Sequence, residues 1–315
     1  MRSMTAVAAQ SWGPPDVLVP VRLPVPEPST GEIRVRVHAA GINPTDLKSR
    51  ATGGRMLWAD PPVLGYDVSG TVDAVADGSV LHRPGDEVFG MPRFPYQAGA
   101  YAEFVTGPAR HFAPKPATIN HVEAASLPLA SLTALHAVQD AARLVPGQRL
   151  LVCGAAGGVG QLAVQIAHLL GISVTASARG SRRSLCMQRG AEAFIPADED
   201  GLPQVPGQFD CVLDPFGGAR VERLLEYATP GGTVVSLIPR AFGPAERRAD
   251  ERGVRLLRVI VEPDGHGLTR IASWVDSGHL LPRVGADFPL VEAAAAHQAL
   301  EEGRIDGKAV LIPVP

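Results

Sequence analysis

Up to about residue 120, apolar positions come in short alternating runs between turn residues, the mark of half-buried β-strands. In EIRVRVHA (32–39), Ile33, Val35 and Val37 alternate with polar or charged neighbours. Further strands are expected at 68–75, 86–89 and 100–105, with turns at Asp77-Gly78, Pro84-Gly85-Asp86 and Gly99. One short helix is expected around 43–49. From residue 122 the rhythm changes. A helical region at 122–144, interrupted by Pro128, precedes a wholly apolar strand at 150–153, a helix at 159–170 and a strand at 172–176. A helix at 181–189, strands at 193–195 and 211–213, a helix at 219–227 and strands at 233–237 and 254–261 continue the alternation. Strands apolar throughout and joined by helices are covered on both faces, so this half reads as a parallel α/β sheet. After Pro263 come helices at 268–277 and 291–302 and a last strand at 309–313.

The segment LLVCGAAGGVGQLAVQIAHLLG (150–171) carries the most chemistry. An apolar strand runs into a turn with Gly154, Gly157, Gly158 and Gly160, and the turn opens into a helix. Glycine permits the tight bend and lets the backbone approach a pyrophosphate. The helix start then offers free N–H groups and the positive end of its dipole. Gly154, Ala156, Gly157, Gly158 and Val159 are therefore candidate cofactor contacts. The plainer alternative is a tight strand–helix turn, but a preceding strand, a following helix and further βα units are the context of a dinucleotide site.

The second strand of this half ends in Ala176-Ser177-Ala178-Arg179-Gly180, followed by Ser181-Arg182-Arg183. An NAD site places a carboxylate there for the ribose 2′-hydroxyl, yet no Asp or Glu occurs between Gly154 and Glu192. Guanidinium groups suit a 2′-phosphate dianion, which they can bind bidentately. The expectation is NADPH held by Ser177, Arg179 and Arg182, with Arg183 left to solvent. Against it stands the ordinary reading of a charge run as a solvated helix start.

These stretches resemble the medium-chain dehydrogenase/reductase superfamily in its zinc-independent, quinone oxidoreductase-like branch. AASLPLASLTALHAV and PGQRLLVCGAAGGVGQLAVQIAHLLG carry the likeness, with HAAGINPTDLKSR (38–50), PPVLGYDVSGTV (61–72), RPGDEVFG (83–90), GAYAEFV (99–105), FDCVLD (209–214), PGGTVVSL (230–237) and DGKAVLIP (306–313) in the family's order. The resemblance implies an α/β protein of two domains with a cleft between them. A GroES-like β-rich catalytic domain would span 1–123 and 263–315, and a doubly wound parallel-sheet Rossmann domain 124–262. It also implies a homodimer paired through the strand at 254–261, for which the alternative is a strand buried within one subunit.

Zinc-dependent relatives take ligands at places that here read Asn43, Tyr66 (in Gly65-Tyr66-Asp67) and PLAS (128–131), and no structural-zinc lobe is present. No metal is expected. Without a Lewis acid, hydride delivery to a quinone or to the activated C=C bond of an α,β-unsaturated carbonyl is the favoured chemistry, because the enolate formed needs only hydrogen-bond donors and a proton. The resemblance turns Asn43, Asp46, Lys48 and Tyr66 toward the substrate. Asn43 is a candidate donor to its oxygen, and Tyr66 a phenolic acid or an aromatic packed under the nicotinamide. Asp46 is expected to cap the short helix and Lys48 to be exposed. The backbone of Leu237, Ile238 and Pro239 would hold the carboxamide side of the nicotinamide. Phe216 would flank the ribose or adenine, and Thr133 the mononucleotide half. Trp58, Phe94 and Tyr96 are candidates for an apolar pocket. Two rival readings stay open: a biosynthetic reductase, with or without reductive cyclisation, acting on a secondary-metabolite intermediate, and a non-catalytic NADPH-binding protein.

Bulk properties narrow this little further. The 315 residues are 45% apolar with net charge −3, which suits a globular protein with no electrostatic footprint for nucleic acid or anionic membranes. Three widely spaced cysteines, Cys153, Cys186 and Cys211, make neither a disulfide framework nor a metal motif. MRSMTAVAAQSWGPP lacks a sustained apolar core, so no signal peptide is expected and cytoplasm is the default. The expected partner is a small apolar substrate.

Overall fold

The computed structural model describes residues 2–54, 59–197, 202, 208–238 and 242–313. It divides into two units, Met1–Leu132 with Glu262–Pro315, and Thr133–Val261. The first boundary falls inside a helix rather than in a linker.

In the first unit, β1 (Ser3–Ala9) and β2 (Leu18–Pro24) form an antiparallel pair. Then follow β3 (Glu32–Gly41), α1 (Pro44–Thr52), β4 (Asp67–Val75), β5 (Glu87–Gly90), β6 (Phe104–Pro108), β7 (Phe112–Pro114), α2 (His121–Ala125) and α3 (Pro128–Leu135). Alternation in β3 does what the pattern predicts: Ile33, Val35 and Val37 are buried with Val68, Val72, Val88, Tyr101 and Phe104. The strand expected at 100–105 is displaced; residues 100–102 make one bridge, Ala102 to Ala6, and the regular ladder starts at Phe104. The β1–β2 pair has no counterpart in the expected elements. Four of the last five β1 side chains are nearly fully buried on both faces, so period-two alternation is missing from SMTAVAA.

α3 continues through a π-helical turn, His136–Ala141, and stops at Arg143 in the left-handed region (φ 55). Leading from there into the second unit, β8 (Arg149–Cys153), α4 (Gly160–Leu169), β9 (Ser173–Ala178), α5 (Arg183–Gln188), β10 (Ala193–Pro196), β11 (Phe209–Asp214), α6 (Arg220–Leu224), β12 (Ala228–Ser236), α7 (Pro244–Arg252) and β13 (Arg255–Arg258) alternate strand and helix. The strands lie in the order β10-β9-β8-β11-β12-β13, and every neighbouring pair is parallel. That is a doubly wound sheet, and its strand order reverses between β8 and β11, where such sheets open a crevice for ligands. Leu150, Leu151, Val152 and Cys153 are all fully buried, which is why this strand shows no polar face. The strand expected at 254–261 shortens to Arg255–Arg258. It is an edge strand, and its partner β12 ends at Ser236, so the ladder has nothing more to pair with.

The chain returns to the first unit with α8 (Gly265–Asp276), β14 (Val284–Pro289), α9 (Ala293–Glu301) and β15 (Lys308–Ile312). β15 joins the sheet beside β3, and β14 pairs parallel to it. Among the described residues no helix is long and apolar enough to cross a membrane.

Candidate functional site

In the second unit, the ends of β8, β9, β11 and β12 bring one set of candidates together. Gly154 takes a left-handed φ of 60, and its carbonyl accepts the Gly157 N–H at 2.9 Å. A Cβ on Gly160 would lie 2.2 Å from the Gly154 oxygen, so only glycine lets α4 start so close to the strand. Gly157 and Gly158 are exposed, Ala156 and Val159 half-buried, and Val159 is the residue from which α4 springs. The Gln161 N–H donates to the Gly157 carbonyl at 3.0 Å and the Ala163 N–H to the Val159 carbonyl at 2.9 Å, so the helix grows directly out of the glycine turn and its positive dipole end lies there, the kind of end that seats a diphosphate.

Beside this turn, β9 ends at Ser177, whose carbonyl accepts the Ala155 N–H at 3.0 Å. Ser177 is fully buried and its hydroxyl has no partner among the described residues, so the strand end holds an unused donor. Arg179 is exposed, Arg182 half-buried and Arg183 exposed with its guanidinium 5.8 Å from the Phe194 ring centre. On the other side of the switch point, Phe216 is 39% exposed and its ring edge would touch a Cβ on Gly154 at 3.0 Å. Arg220 lies over the same ring at 5.0 Å. Leu237 and Ile238 follow the end of β12, with the Leu237 N–H donating to the Asp214 carbonyl at 2.8 Å. Pro239 lies outside the described residues, as does Trp58. Thr133 belongs to a different element, α3, where it is buried.

In the first unit, the candidates near Asn43 sit in a buried ionic cluster. Asn43 precedes α1, and Pro44 at its first position starts the helix. The Asn43 N–H donates to Asp46 Oδ2 at 2.8 Å and the Gly65 N–H to Asp46 Oδ1 at 3.1 Å, so Asp46 does cap α1. The Asn43 amide donates to Asp67 Oδ2 at 2.9 Å and accepts from Lys308 Nζ at 2.5 Å. Lys308 lies 3.6 Å from Asp67 Oδ2, and the Leu129 N–H donates to Asp67 Oδ1 at 2.8 Å. Burial pushes the Asp46 carboxyl up to about 7, against the pull of the Asn43 N–H. It likewise raises Asp67 and lowers Lys308, each opposed by the other's charge. Two buried carboxylates thus lie beside the buried Lys308 ammonium.

Tyr66 is 5% exposed, with its hydroxyl 3.5 Å from the Pro95 carbonyl and its ring edge-on to Phe94 at 5.0 Å between centres. Burial raises its phenol well above the usual value, and the Asp46 charge adds to this. Tyr96 is exposed, as is Lys48. Sequence reasoning passed over Asp67 and Lys308 as functional residues. The available signal was a charge opening an otherwise apolar strand, KAVLI, which a β-sheet core accepts only when paired.

A family model described as an alcohol dehydrogenase GroES-like domain matches residues 29–117, and one described as a zinc-binding dehydrogenase matches residues 189–311. The chain is 31% identical over 325 residues to 2-methylene-furan-3-one reductase of Solanum lycopersicum, covering 99% of this chain and 80% of the relative. It is 31% identical over 327 residues to an NADPH-dependent alkenal/one oxidoreductase, chloroplastic, of Arabidopsis thaliana, covering 100% and 81%. A solved quinone oxidoreductase structure from Coxiella burnetii superposes with a TM-score of 0.90 at 31% identity, covering 99% of this chain and 100% of that one.

The zinc in the second model's description finds no fit here. Among the described residues no three His, Cys, Asp or Glu side chains converge as a metal site. Beside Asn43, where a ligand would be sought, stands the Lys308 ammonium, which repels a dication. A dinucleotide does fit the other unit, because Gly160 leaves no room for a Cβ where the helix meets the strand and the buried Ser177 hydroxyl has no partner among the described residues.

Proposed function

Because the chain belongs to the quinone oxidoreductase-like branch of the medium-chain dehydrogenase/reductase superfamily and is an oxidoreductase built from a GroES-like and a Rossmann-type unit, we propose that it uses NADPH, without zinc, to reduce a quinone or the activated C=C bond of an α,β-unsaturated carbonyl. The observation that carries the choice of cofactor is the end of β9: a buried unpaired Ser177 hydroxyl followed by Arg179 and Arg182, with no carboxylate before Glu192. Guanidinium groups there would bind a 2′-phosphate and leave a bare 2′-hydroxyl without an acceptor. The names of the tomato and Arabidopsis relatives support an enone-type substrate.

When bound, the reduced nicotinamide supplies the hydride. The chain's own residues bind and orient it: the 154–159 turn takes the diphosphate, Phe216 flanks the adenosine half, and Leu237 and Ile238 offer backbone groups to the carboxamide. Thr133 and Pro239 are assigned to the nicotinamide mononucleotide half on the same reading. In the first unit, Lys308 on the Asn43 oxygen polarises the amide, and one Asn43 N–H goes to Asp67. Its second N–H is assigned to the substrate oxygen, and Tyr66 to delivery of the proton. The three unpaired cysteines suit a cytoplasmic enzyme, and the edge strand β13 suits pairing in a homodimer.

The test is kinetic. Replacing Arg179 and Arg182 by Ala raises the KM for NADPH about tenfold or more while that for NADH stays put, with enones and quinones as acceptors. An unchanged ratio of the two refutes the phosphate assignment, and NADPH bound but oxidised by no acceptor refutes the enzyme reading.

A further inference from the structure

Asp214 closes β11 and is fully buried, yet its carboxylate makes no ion pair among the described residues. Instead Oδ1 accepts the N–H of Phe216 at 2.9 Å and of Gly217 at 3.1 Å, while Oδ2 accepts the Gly217 N–H at 3.0 Å and the Ser236 hydroxyl at 2.9 Å. Its backbone carbonyl accepts the Leu237 N–H at 2.8 Å. The Ser236 Oγ in turn lies 3.4 Å from the Ile238 N–H. One residue therefore ties together the end of β12 and two segments, 215–217 and 237–238, just past the ends of neighbouring strands. The ladder ends with the Leu237 N–H on the Asp214 carbonyl, so Phe216, Gly217 and Ile238 lie beyond what the sheet itself fixes.

The two segments also touch. Gly217 is left-handed (φ 66), and a Cβ on it would lie 2.7 Å from the Ile238 Cβ. The bend that Asp214 holds sends Phe216 back toward Gly154 at the switch point. A charged acceptor bonded to backbone N–H groups makes stronger bonds than a neutral one, and in a dry site those bonds are worth more still.

We propose that Asp214 is a positioning residue of the cofactor site, setting dinucleotide affinity by holding Phe216, Leu237 and Ile238 in register with the glycine turn. The proposal rests on the nicotinamide-dinucleotide reading above. Asp214 itself touches no cofactor, since it has no exposed surface. It acts through the two segments it bonds.

The experiment is calorimetric titration of NADPH into the full-length wild type, Asp214→Ala, Asp214→Asn and Ser236→Ala, with steady-state kinetics alongside. Asp214→Ala removes every side-chain bond and is expected to weaken NADPH at least about tenfold, raising its KM while kcat falls less than about threefold. Asp214→Asn keeps an oxygen for the two N–H groups and turns its NH₂ to the Ser236 oxygen, which can accept. It therefore restores affinity to within about threefold of wild type. Ser236→Ala breaks the bond to Asp214 and the weaker one from the Ile238 N–H and falls between them, and it carries the test if Asp214→Ala does not fold. Loss of thermal stability in Asp214→Ala or Ser236→Ala with unchanged NADPH affinity overturns the proposal, because a purely structural carboxylate gives that result. A wild type that binds neither NADPH nor NADH instead overturns the function on which it rests.

Discussion

Lys308→Met probes the buried cluster most directly. The substitution keeps most of the aliphatic stem and removes the one cation serving Asp67 and Asp46, both fully buried. At 3.6 Å the Lys308–Asp67 attraction is about 5 kcal/mol for an effective dielectric constant near 20. The wild-type pair loses much of that to desolvation, but the variant keeps the cost of burying Asp67 and loses its compensation, so a net loss of about 3–5 kcal/mol is expected. Part of it is met by protonating Asp67, whose carboxyl burial already raises. That fixes the sign of the pH dependence. A carboxyl raised in the folded state favours folding below its ordinary value near 3.8, and this contribution is lost as pH rises through the folded value. The penalty of Lys308→Met is therefore largest at neutral pH and shrinks as pH falls toward 4. Trp12 and Trp274 lie in the unit that holds the cluster, so tryptophan fluorescence in urea reads its unfolding. A loss under about 1 kcal/mol at pH 7, or one that grows on acidification, refutes the reasoning. Lys308→Met with Asp67→Asn is expected to recover most of the loss, since no unpaired charge then remains.

Two further outcomes follow from single residues. Arg143 is exposed, left-handed and sits where a helix end calls for glycine; Arg143→Gly is expected to stabilise the second unit by about 0.5–1 kcal/mol, read by calorimetry, and an unchanged or lower melting temperature counts against it. Tyr66→Phe keeps the edge-on contact with Phe94 and removes the hydroxyl, so turnover is expected to slow about 10²-fold if the phenol delivers the proton, and full activity leaves Tyr66 a packing residue.

Much of this molecule is written locally. The apolar run at 150–153, the glycine turn and the buried face of α4 each follow from neighbours in sequence, because strand, bend and helix are decided within a few residues. The same holds for α1, set by Asn43, Pro44 and Asp46, and for the stretch between Gly154 and Glu192 that carries no Asp or Glu. Elements whose signal is not local escaped. β1 is buried on both faces, VGADFP of β14 is full of strand breakers, and α7 buries only Ala245 and Ala249, too small a stripe to see.

What the residues alone determined, then, is the order of the βα units and where the glycine turn and the Arg179–Arg183 cluster fall, since these depend on backbone freedom and on residue types a few positions apart. The tertiary structure alone decided which charges share the interior. Lys308 meets Asn43 across 265 positions, and Asp214 reaches Ser236 across 22, because β15 and β12 happen to lie where those side chains can be paired. A buried charge is tolerated only beside its partner, and the partner's identity is a property of the packed sheets, which no window of sequence contains.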